Sequence, residues 1–253
     1  MDVTDGAAAR QLASLRDAEQ RKDEFVTILA HELRNPLAPI RNATQLLRRK
    51  ARAAADPDLQ KLSDIIERQV ADITRLLDDV LDLSSVALGK LRLRMAPVAL
   101  AAVVDHALEW TRPLIEARRH RFSLKKPSHP LRVNGDAVRL AQVLSNLLGN
   151  AAKYTEIGGH IQLALERHGT NAVMRVRDNG RGLDAADLKG LFELFNQPQR
   201  NLDRAEGGLG IGLSLVRSLV QMHGGHVQAW SAGCGKGSEF VVYLPLLREN
   251  TVA

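Results

Sequence analysis

The sequence is poor in cysteine and aromatic residues, and it contains no long apolar run. Its single cysteine, Cys234, excludes a disulfide within the chain and any metal site built from several cysteines. Only 4% of the residues are aromatic, so a platform for stacking nucleic-acid bases is difficult to build. No stretch approaches the ~18–20 apolar residues of a membrane-spanning helix, and the N-terminus lacks a signal-peptide core. We therefore expect a cytoplasmic protein with no membrane segment in this chain.

The charge balance is basic but gives little support to a nucleic-acid partner. The formal net charge is +6, yet basic and acidic residues are interleaved along the chain. Because no basic block stands apart, most of this charge is interpreted as solvated helix surface with some affinity for phosphate. Hydrophobic residues make up 45% of the 253 residues, which is enough for one or two folded cores.

The first part of the chain has the pattern of two amphipathic helices. Apolar residues recur at spacings of three and four from about residue 8 to residue 50, and again after Pro57. Residues 51–57 interrupt the pattern, and Asp56-Pro57 is a typical helix start. A lone hairpin would leave a long apolar face uncovered, so we expect residues 1–86 to dimerise as a four-helix bundle.

Beyond a linker at residues 87–97, strands alternate with helices in a second domain, residues 98–248. The pattern predicts strands over 91–95, 122–125, 161–167, 173–177, 226–231 and 238–244, and helices over 99–116, 136–153 and 213–223. Mixed strands with helices on one face indicate an α/β sandwich, so the fold class is α+β with two domains.

One histidine, His31, is predicted to lie on the polar side of the first helix. Counting 100° per residue places it about 160° from Leu33, which belongs to the apolar stripe. Pro36 and Pro39 lack amide hydrogens, so the helix should bend beside it. A neutral exposed imidazole is a nucleophile, and the neighbouring carboxylate of Glu32 can take or orient its other proton.

The helix over 136–153 carries a polar stripe beside its apolar face. The stripe has spacings of 3, 4, 4 and 3 and consists of Arg139, Gln142, Asn146, Asn150 and Lys153. Carboxamide oxygens can ligate Mg²⁺, and a lysine can pair with phosphate. Asp136 is a plausible N-cap for this helix.

Two glycine-rich loops follow. The carboxylate of Asp178 can accept a hydrogen bond from an adenine amino group, and glycines let the backbone approach the base. The second loop opens a helix, where free amides favour phosphate. Neither loop is a Rossmann or Walker A motif, and protein-kinase motifs are absent. The glycines of this predicted ATP site are Gly180, Gly182, Gly208, Gly210 and Gly212.

In this order the motifs resemble those of bacterial sensor histidine kinases. The likeness covers residues from about 20 to 247, including a terminal hairpin at Gly235-Lys-Gly-Ser-Glu-Phe240. The matching boxes are His31-Glu-Leu-Arg-Asn-Pro-Leu37 (H), Asn146 to Tyr154 (N), Asp178-Asn-Gly-Arg-Gly182 (G1), Phe192-Glu-Leu-Phe195 (F) and Gly208-Leu-Gly-Ile-Gly212 (G2).

The resemblance implies a dimeric helical bundle followed by an ATP-binding domain of the GHKL (Bergerat) type, the fold shared with DNA gyrase, MutL and heat-shock chaperones. It implies ATP-dependent phosphorylation of His31 with Mg²⁺, and phosphotransfer to an aspartate of a response regulator receiver domain. Glu32 would be the general base. Asn35 would position a water that dephosphorylates the regulator.

The resemblance also assigns the nucleotide site. Asn150 and Asn146 would ligate Mg²⁺, and Lys153 would hold phosphate. Tyr154 would pack near adenine, and Asp178 would bind its amino group. Residues 196–206 would form a lid over ATP, in which Arg200 and Arg204 are better explained as solvated loop charges than as phosphate contacts.

Two features leave the upstream signal open. About twenty residues precede the H box, which is too few for a sensor domain, and no receiver domain follows Leu247. We therefore expect either a longer parent protein or a separate sensor module. The competing interpretations are a conformational GHKL-type ATPase, a pseudokinase scaffold and a basic DNA-binding module. None of these explains His31 together with the complete set of nucleotide motifs.

Overall fold

A computed structural model describes residues 37, 40–50, 52, 56–194 and 210–247. The chain divides into two compact units, and the boundary between them in the sequence lies between Leu91 and Arg92. Several predicted residues lie outside the described ones, namely His31, Glu32, Asn35, Phe195, Gly208 and the segment 196–206. Within the described residues, no helix is long and apolar enough to cross a membrane.

The first unit contains helix α1, described over residues 40–50, and helix α2, Pro57–Ala87. The predicted second helix is thus confirmed. It begins at Pro57 because the Asp56 carboxylate accepts hydrogen bonds from the N–H groups of Asp58 and Leu59, both at 3.0 Å.

Polar contacts connect the two helices. The Arg48 guanidinium pairs with the carboxylates of Glu67 at 2.6 Å and Asp64 at 3.4 Å. The Ser63 hydroxyl donates to the Thr44 carbonyl oxygen at 3.1 Å. These contacts fix the alignment of α2 against the described part of α1.

Only part of the predicted apolar face is covered within one chain. Val70, Leu77 and Leu81 are buried, and Leu37 packs against Leu77 and Leu81. The large apolar side chains that remain exposed, from 39% to 59%, are Ile40, Leu46, Leu47, Leu62, Ile65, Ile66 and Ile73.

The second unit is an α/β sandwich, as predicted. Its five-stranded sheet has the order β2-β4-β5-β7-β6, in which β2 and β4 are parallel and the other pairs antiparallel, and β1 pairs with β3 in a small second sheet. The strands are β1 (Ala96–Ala99), β2 (Arg121–Lys125), β3 (Arg132–Gly135), β4 (His160–His168), β5 (Asn171–Asp178), β6 (His226–Trp230) and β7 (Glu239–Pro245). The helices are α3 (Leu100–Ala117), α4 (Ala137–Tyr154), α5 (Ala185–Gly190) and α6 (Gly212–Met222).

The helical layer is built around α4, which packs between α3 and α6. Its apolar stripe is fully buried through Leu140, Leu144 and Leu147, and it faces fully buried strand residues such as Leu163 and Met174. The polar stripe of the same helix is therefore left at the border of the core, where the candidate site lies.

The structure differs from the predicted elements at three places. No strand forms over 91–95, because the Arg94 N–H donates to the Asp136 carboxylate at 2.9 Å and not to a neighbouring strand. The strand lies at Ala96–Ala99 instead, so the predicted linker 87–97 contains its first two residues. Strand β3 and the short helix α5 were not predicted.

Candidate nucleotide site

The polar stripe of α4 forms one wall of the site. Asn146 is 9% exposed, and its Nδ2 atom has no hydrogen-bond partner among the described residues. Asn150, Lys153 and Tyr154 are half-buried further along the helix. The ammonium of Lys153 lies 5.3 Å from the centre of the Tyr154 ring. The stripe therefore offers an unsatisfied buried donor at Asn146 and a cation at Lys153, near the C-terminal end of the helix.

The loop after β5 lies against the C-terminal end of α4. The Arg181 N–H donates to the Tyr154 carbonyl oxygen at 3.1 Å. A Cβ atom at Gly180 would collide with that same carbonyl oxygen, so only glycine allows this close approach. The backbone of the G1 motif is thus held directly beside the end of the N motif.

Asp178 ends strand β5 and is 7% exposed. One carboxylate oxygen accepts hydrogen bonds from the Gly180 N–H at 2.8 Å and the Ser238 N–H at 3.3 Å. The other oxygen accepts from the Ser238 hydroxyl at 2.5 Å. These donors hold the carboxylate in one fixed orientation.

Ser238 contacts Asp178 but was not among the residues predicted for the site. It lies two positions before the buried Phe240 on β7, directly after the glycine-rich turn 233–237. A hydroxyl next to that turn was the available signal, but its partner Asp178 is 60 residues away in the chain. Only the antiparallel pairing of β5 with β7 brings the two together.

The turn 233–237 holds the G1 loop in place through hydrogen bonds. The Gly237 N–H donates to the Gly180 carbonyl oxygen at 3.0 Å, and the Gly235 N–H donates to the Arg181 carbonyl oxygen. The Ser231 hydroxyl accepts from the Leu183 N–H at 2.9 Å and donates to the Gly237 carbonyl oxygen at 2.8 Å. The loop that carries Asp178 is therefore fixed by backbone contacts as well as by Ser238.

The N-terminal end of α6 lies beside Asn146. A Cβ atom at Gly212 would come within 3.7 to 3.9 Å of three atoms of the Asn146 carboxamide. Gly210 has a φ of 71°, and no side chain among the described residues caps the first turn of α6. The uncapped amides of a helix start carry partial positive charge and attract phosphate.

The structure thus brings together most of the predicted residues that it describes. Asn146 lies beside Gly212. Tyr154 contacts the loop that contains Asp178, Gly180 and Gly182. No cluster of three or more His, Cys, Asp or Glu side chains suited to a metal is present in the described ranges. Carboxamide oxygens on α4 are the hard donors that the site offers to Mg²⁺.

Comparisons with protein families match both units. Residues 21–89 match HisKA, the His Kinase A (phospho-acceptor) domain, and residues 135–248 match HATPase_c, the histidine kinase-, DNA gyrase B- and HSP90-like ATPase. The chain belongs to the sensor histidine kinases. The family inferred from the order of the sequence motifs is therefore confirmed, and the second unit is its ATP-binding domain.

Individual histidine kinases show the same similarity. The circadian input-output histidine kinase CikA of Synechococcus elongatus is 33% identical over 92% of this chain. The adaptive-response sensory kinase SasA of a Synechococcus species is 32% identical over 94% of it. The chain spans only 31% of the length of CikA and 63% of SasA.

A solved structure supports the fold. The crystal structure of full-length ShkA in complex with AMPPNP has a TM-score of 0.70 to this chain, at 24% identity. The similarity covers 89% of this chain and 46% of ShkA. At this identity the comparison supports the architecture alone.

Proposed function

We propose that this chain transfers the γ-phosphoryl group of ATP to His31 and then to an aspartate of a response regulator receiver domain. The observation that carries the proposal is the convergence of the α4 stripe, the Asp178 loop and the start of α6 on one site. The same chain contains a matched phospho-acceptor domain over residues 21–89. An ATPase that only changes conformation has no need of that domain.

The nucleotide fits the donors and acceptors of the site. Asp178 would accept from the adenine amino group. Gly180 and Gly182 would keep the adjoining loop in place, since a Cβ atom at either one would collide with the backbone of Tyr154 or Gly233. Tyr154 would pack near adenine and Lys153 would bind phosphate. The start of α6, from Gly210 to Gly212, would receive phosphate oxygens, and Gly208 is proposed for the same role.

Asn146 and Asn150 are the proposed Mg²⁺ ligands. Each carboxamide has one oxygen for a hard cation and two N–H donors for phosphate. The unpartnered Nδ2 of Asn146 supports a hydrogen-bond acceptor, such as a phosphate oxygen, beside the proposed metal, because a buried donor without a partner is costly. When bound, Mg²⁺ would neutralise phosphate charge that develops during transfer.

At His31 the proposed reaction is a direct displacement. An imidazole nitrogen forms a bond to the γ-phosphorus, the bond from phosphorus to the bridging oxygen breaks, and ADP leaves. Glu32 accepts the proton from the other ring nitrogen. In the second reaction the phosphorus–nitrogen bond breaks and the regulator carboxylate takes the phosphoryl group.

Two further proposals concern partners and the reverse reaction. The exposed apolar side chains of α1 and α2 support a homodimer, in which a second hairpin would cover them. Asn35 would orient a water that hydrolyses the phosphorylated regulator. A sensor module, in a longer parent protein or in a separate one, would supply the signal.

Autophosphorylation is the direct test. The chain would be incubated with γ-labelled ATP and Mg²⁺, beside the variant His31→Gln. We expect label on the wild-type chain that is lost in acid and kept in base, as phosphohistidine is, and no label on His31→Gln. Release of phosphate without label on either chain would contradict the proposal and support the conformational ATPase.

A further inference from the structure

A buried histidine that the proposed chemistry does not use connects the two helices of the nucleotide site. His223, 5% exposed, follows the last residue of α6. Its Nε2 atom accepts a hydrogen bond from the Asp136 N–H at 3.0 Å, and its Nδ1 atom donates to the Leu219 carbonyl oxygen at 2.7 Å. A backbone N–H can only donate and a carbonyl can only accept, so this pair of bonds requires the neutral ring.

The Asp136 end of this contact is the start of α4. The Asp136 carboxylate caps α4 by accepting from the N–H groups of Val138 and Arg139. At Gly135 a Cβ atom would lie 2.9 Å from the His223 ring carbon Cδ2. Glycine therefore lets the imidazole close directly onto the chain where β3 turns into α4.

The opposite end of α6 contacts the middle of α4, at Gly212 and Asn146. From residue 212 to residue 223 a helix rises about 16 Å, and from residue 136 to residue 146 it rises about 15 Å. The two distances match, so α6 lies antiparallel along α4 and is held at both ends. His223 holds the C-terminal end of α6. The opposite, N-terminal end of α6 is the proposed phosphate-binding end.

We propose that neutral His223 is a positioning residue that sets the place of α6 along α4, and that its protonation weakens nucleotide binding at the far end of α6. Protonation would put an N–H on Nε2 facing the Asp136 N–H, so the contact that sets the position would be replaced by two opposed donors. The inference rests on the proposed nucleotide site and adds a pH dependence to it.

The surroundings of His223 keep the ring neutral near neutral pH, so its protonation requires acid. Burial lowers the pKa of His223 below its ordinary value of 6.5, while the Leu219 hydrogen bond and the Asp136 charge oppose that effect. Asp136 is the charged group that faces the ring from the start of α4. From β7, the turn after His223 meets Pro245 and the backbone of Tyr243, which carry no charge.

Thermodynamic linkage gives a test that needs no substitution. If protonation of His223 weakens nucleotide binding, then nucleotide binding must lower the pKa of His223 by the equivalent amount. A tenfold loss of affinity corresponds to a shift of about one pKa unit. A residue that only fills the core would titrate identically with and without nucleotide.

The experiment follows the His223 ring nitrogens by NMR on the full chain, with and without AMPPNP and Mg²⁺, over the pH range in which circular dichroism shows a folded protein. We expect the pKa of His223 to fall when AMPPNP binds. The same pKa in both titrations overturns the inference. Absence of AMPPNP binding at about pH 7.5 would instead contradict the proposed nucleotide site.

A variant provides a second, independent measurement. Glutamine can accept from the Asp136 N–H but does not titrate, so His223→Gln should reduce the loss of AMPPNP affinity between about pH 7.5 and about pH 5.5. His106→Gln, at an exposed histidine of α3, should show the wild-type pH dependence. Equal pH dependence in all three chains overturns the inference. If His223→Gln does not fold, the NMR titration alone decides.

Discussion

The two units of this kinase cover their apolar side chains in different ways. In the second unit the apolar stripe of α4 is completely buried between other helices and the sheet. In the first unit, large apolar residues such as Leu46 and Leu62 are 59% and 57% exposed. The sandwich therefore closes a core within one chain, whereas the described part of the hairpin leaves large apolar side chains exposed to solvent.

The units also differ in how they use polar groups. The ion pairs of Arg48 in the hairpin are partly exposed, and such pairs contribute little to stability. In the sandwich, Asp136, Asp178 and His223 are buried, and each makes several hydrogen bonds at a helix end or loop. We infer that the hairpin depends on buried area, while the nucleotide site depends on individual hydrogen bonds.

The largest expected effect belongs to the H motif. Glu32→Gln should slow autophosphorylation about 10²–10⁴-fold, because a carboxamide cannot accept the imidazole proton. Nucleotide affinity, a property of the second unit, should not change. The rate would be measured with γ-labelled ATP, and the affinity by calorimetry.

Asn35→Ala is the matched control for Glu32→Gln. It should largely keep autophosphorylation and instead slow the loss of phosphate from a phosphorylated receiver domain. If both substitutions depress both reactions equally, they only disturb the helix bend that the sequence predicts near Pro36. The proposed division between the two side chains would then be wrong.

The next effect concerns self-association of the hairpin. Leu62→Glu should weaken the homodimer by about 10²-fold or more, since each copy would lose about 1.5–3 kcal/mol of apolar burial. Sedimentation at several protein concentrations would measure this, with Ile157→Glu at a 73% exposed site of the second unit as control. A Leu62→Glu chain that associates like wild type would show that this face of α2 is not the interface.

A smaller effect is expected from the adenine side of the site. Asp178→Asn should lower ATP affinity by about one to two decades, because one hydrogen bond to a charged group contributes about 1.5–3 kcal/mol. Self-association should stay at the wild-type level. Calorimetry would measure the affinity, with Asp105→Asn on the exposed surface of α3 as control. A near-normal ATP affinity of Asp178→Asn would show that Asp178 only shapes the turn and does not bind adenine.

The smallest effect is expected at Ser238. Ser238→Ala removes the hydroxyl that holds one oxygen of Asp178 but keeps the backbone N–H that holds the other. A loss of about 1 kcal/mol, or about fivefold in ATP affinity, should follow. Ser238→Thr should restore most of the affinity. A loss equal to that of Asp178→Asn would mean that Ser238 contacts the nucleotide itself.

Whether a feature could be predicted from the sequence depends on how far apart in the chain its interacting residues lie. Helix α4 and its Asp136 cap could be predicted because the cap and the polar stripe are properties of neighbouring residues. The contact of Ser238 with Asp178 depends on strand pairing across 60 residues, so no local pattern contains it. The strand predicted over 91–95 failed for the same reason, since the Arg94 N–H is taken by Asp136, 42 residues away.

The place of the only cysteine has a practical consequence. Cys234 is exposed in the turn whose neighbours Gly235 and Gly237 donate to the backbone of the loop after Asp178. A thiol-reactive fluorophore would therefore attach at one position of this chain, in the turn that supports the proposed adenine pocket. A change of its emission on addition of nucleotide would report occupancy of the site without any substitution in the chain.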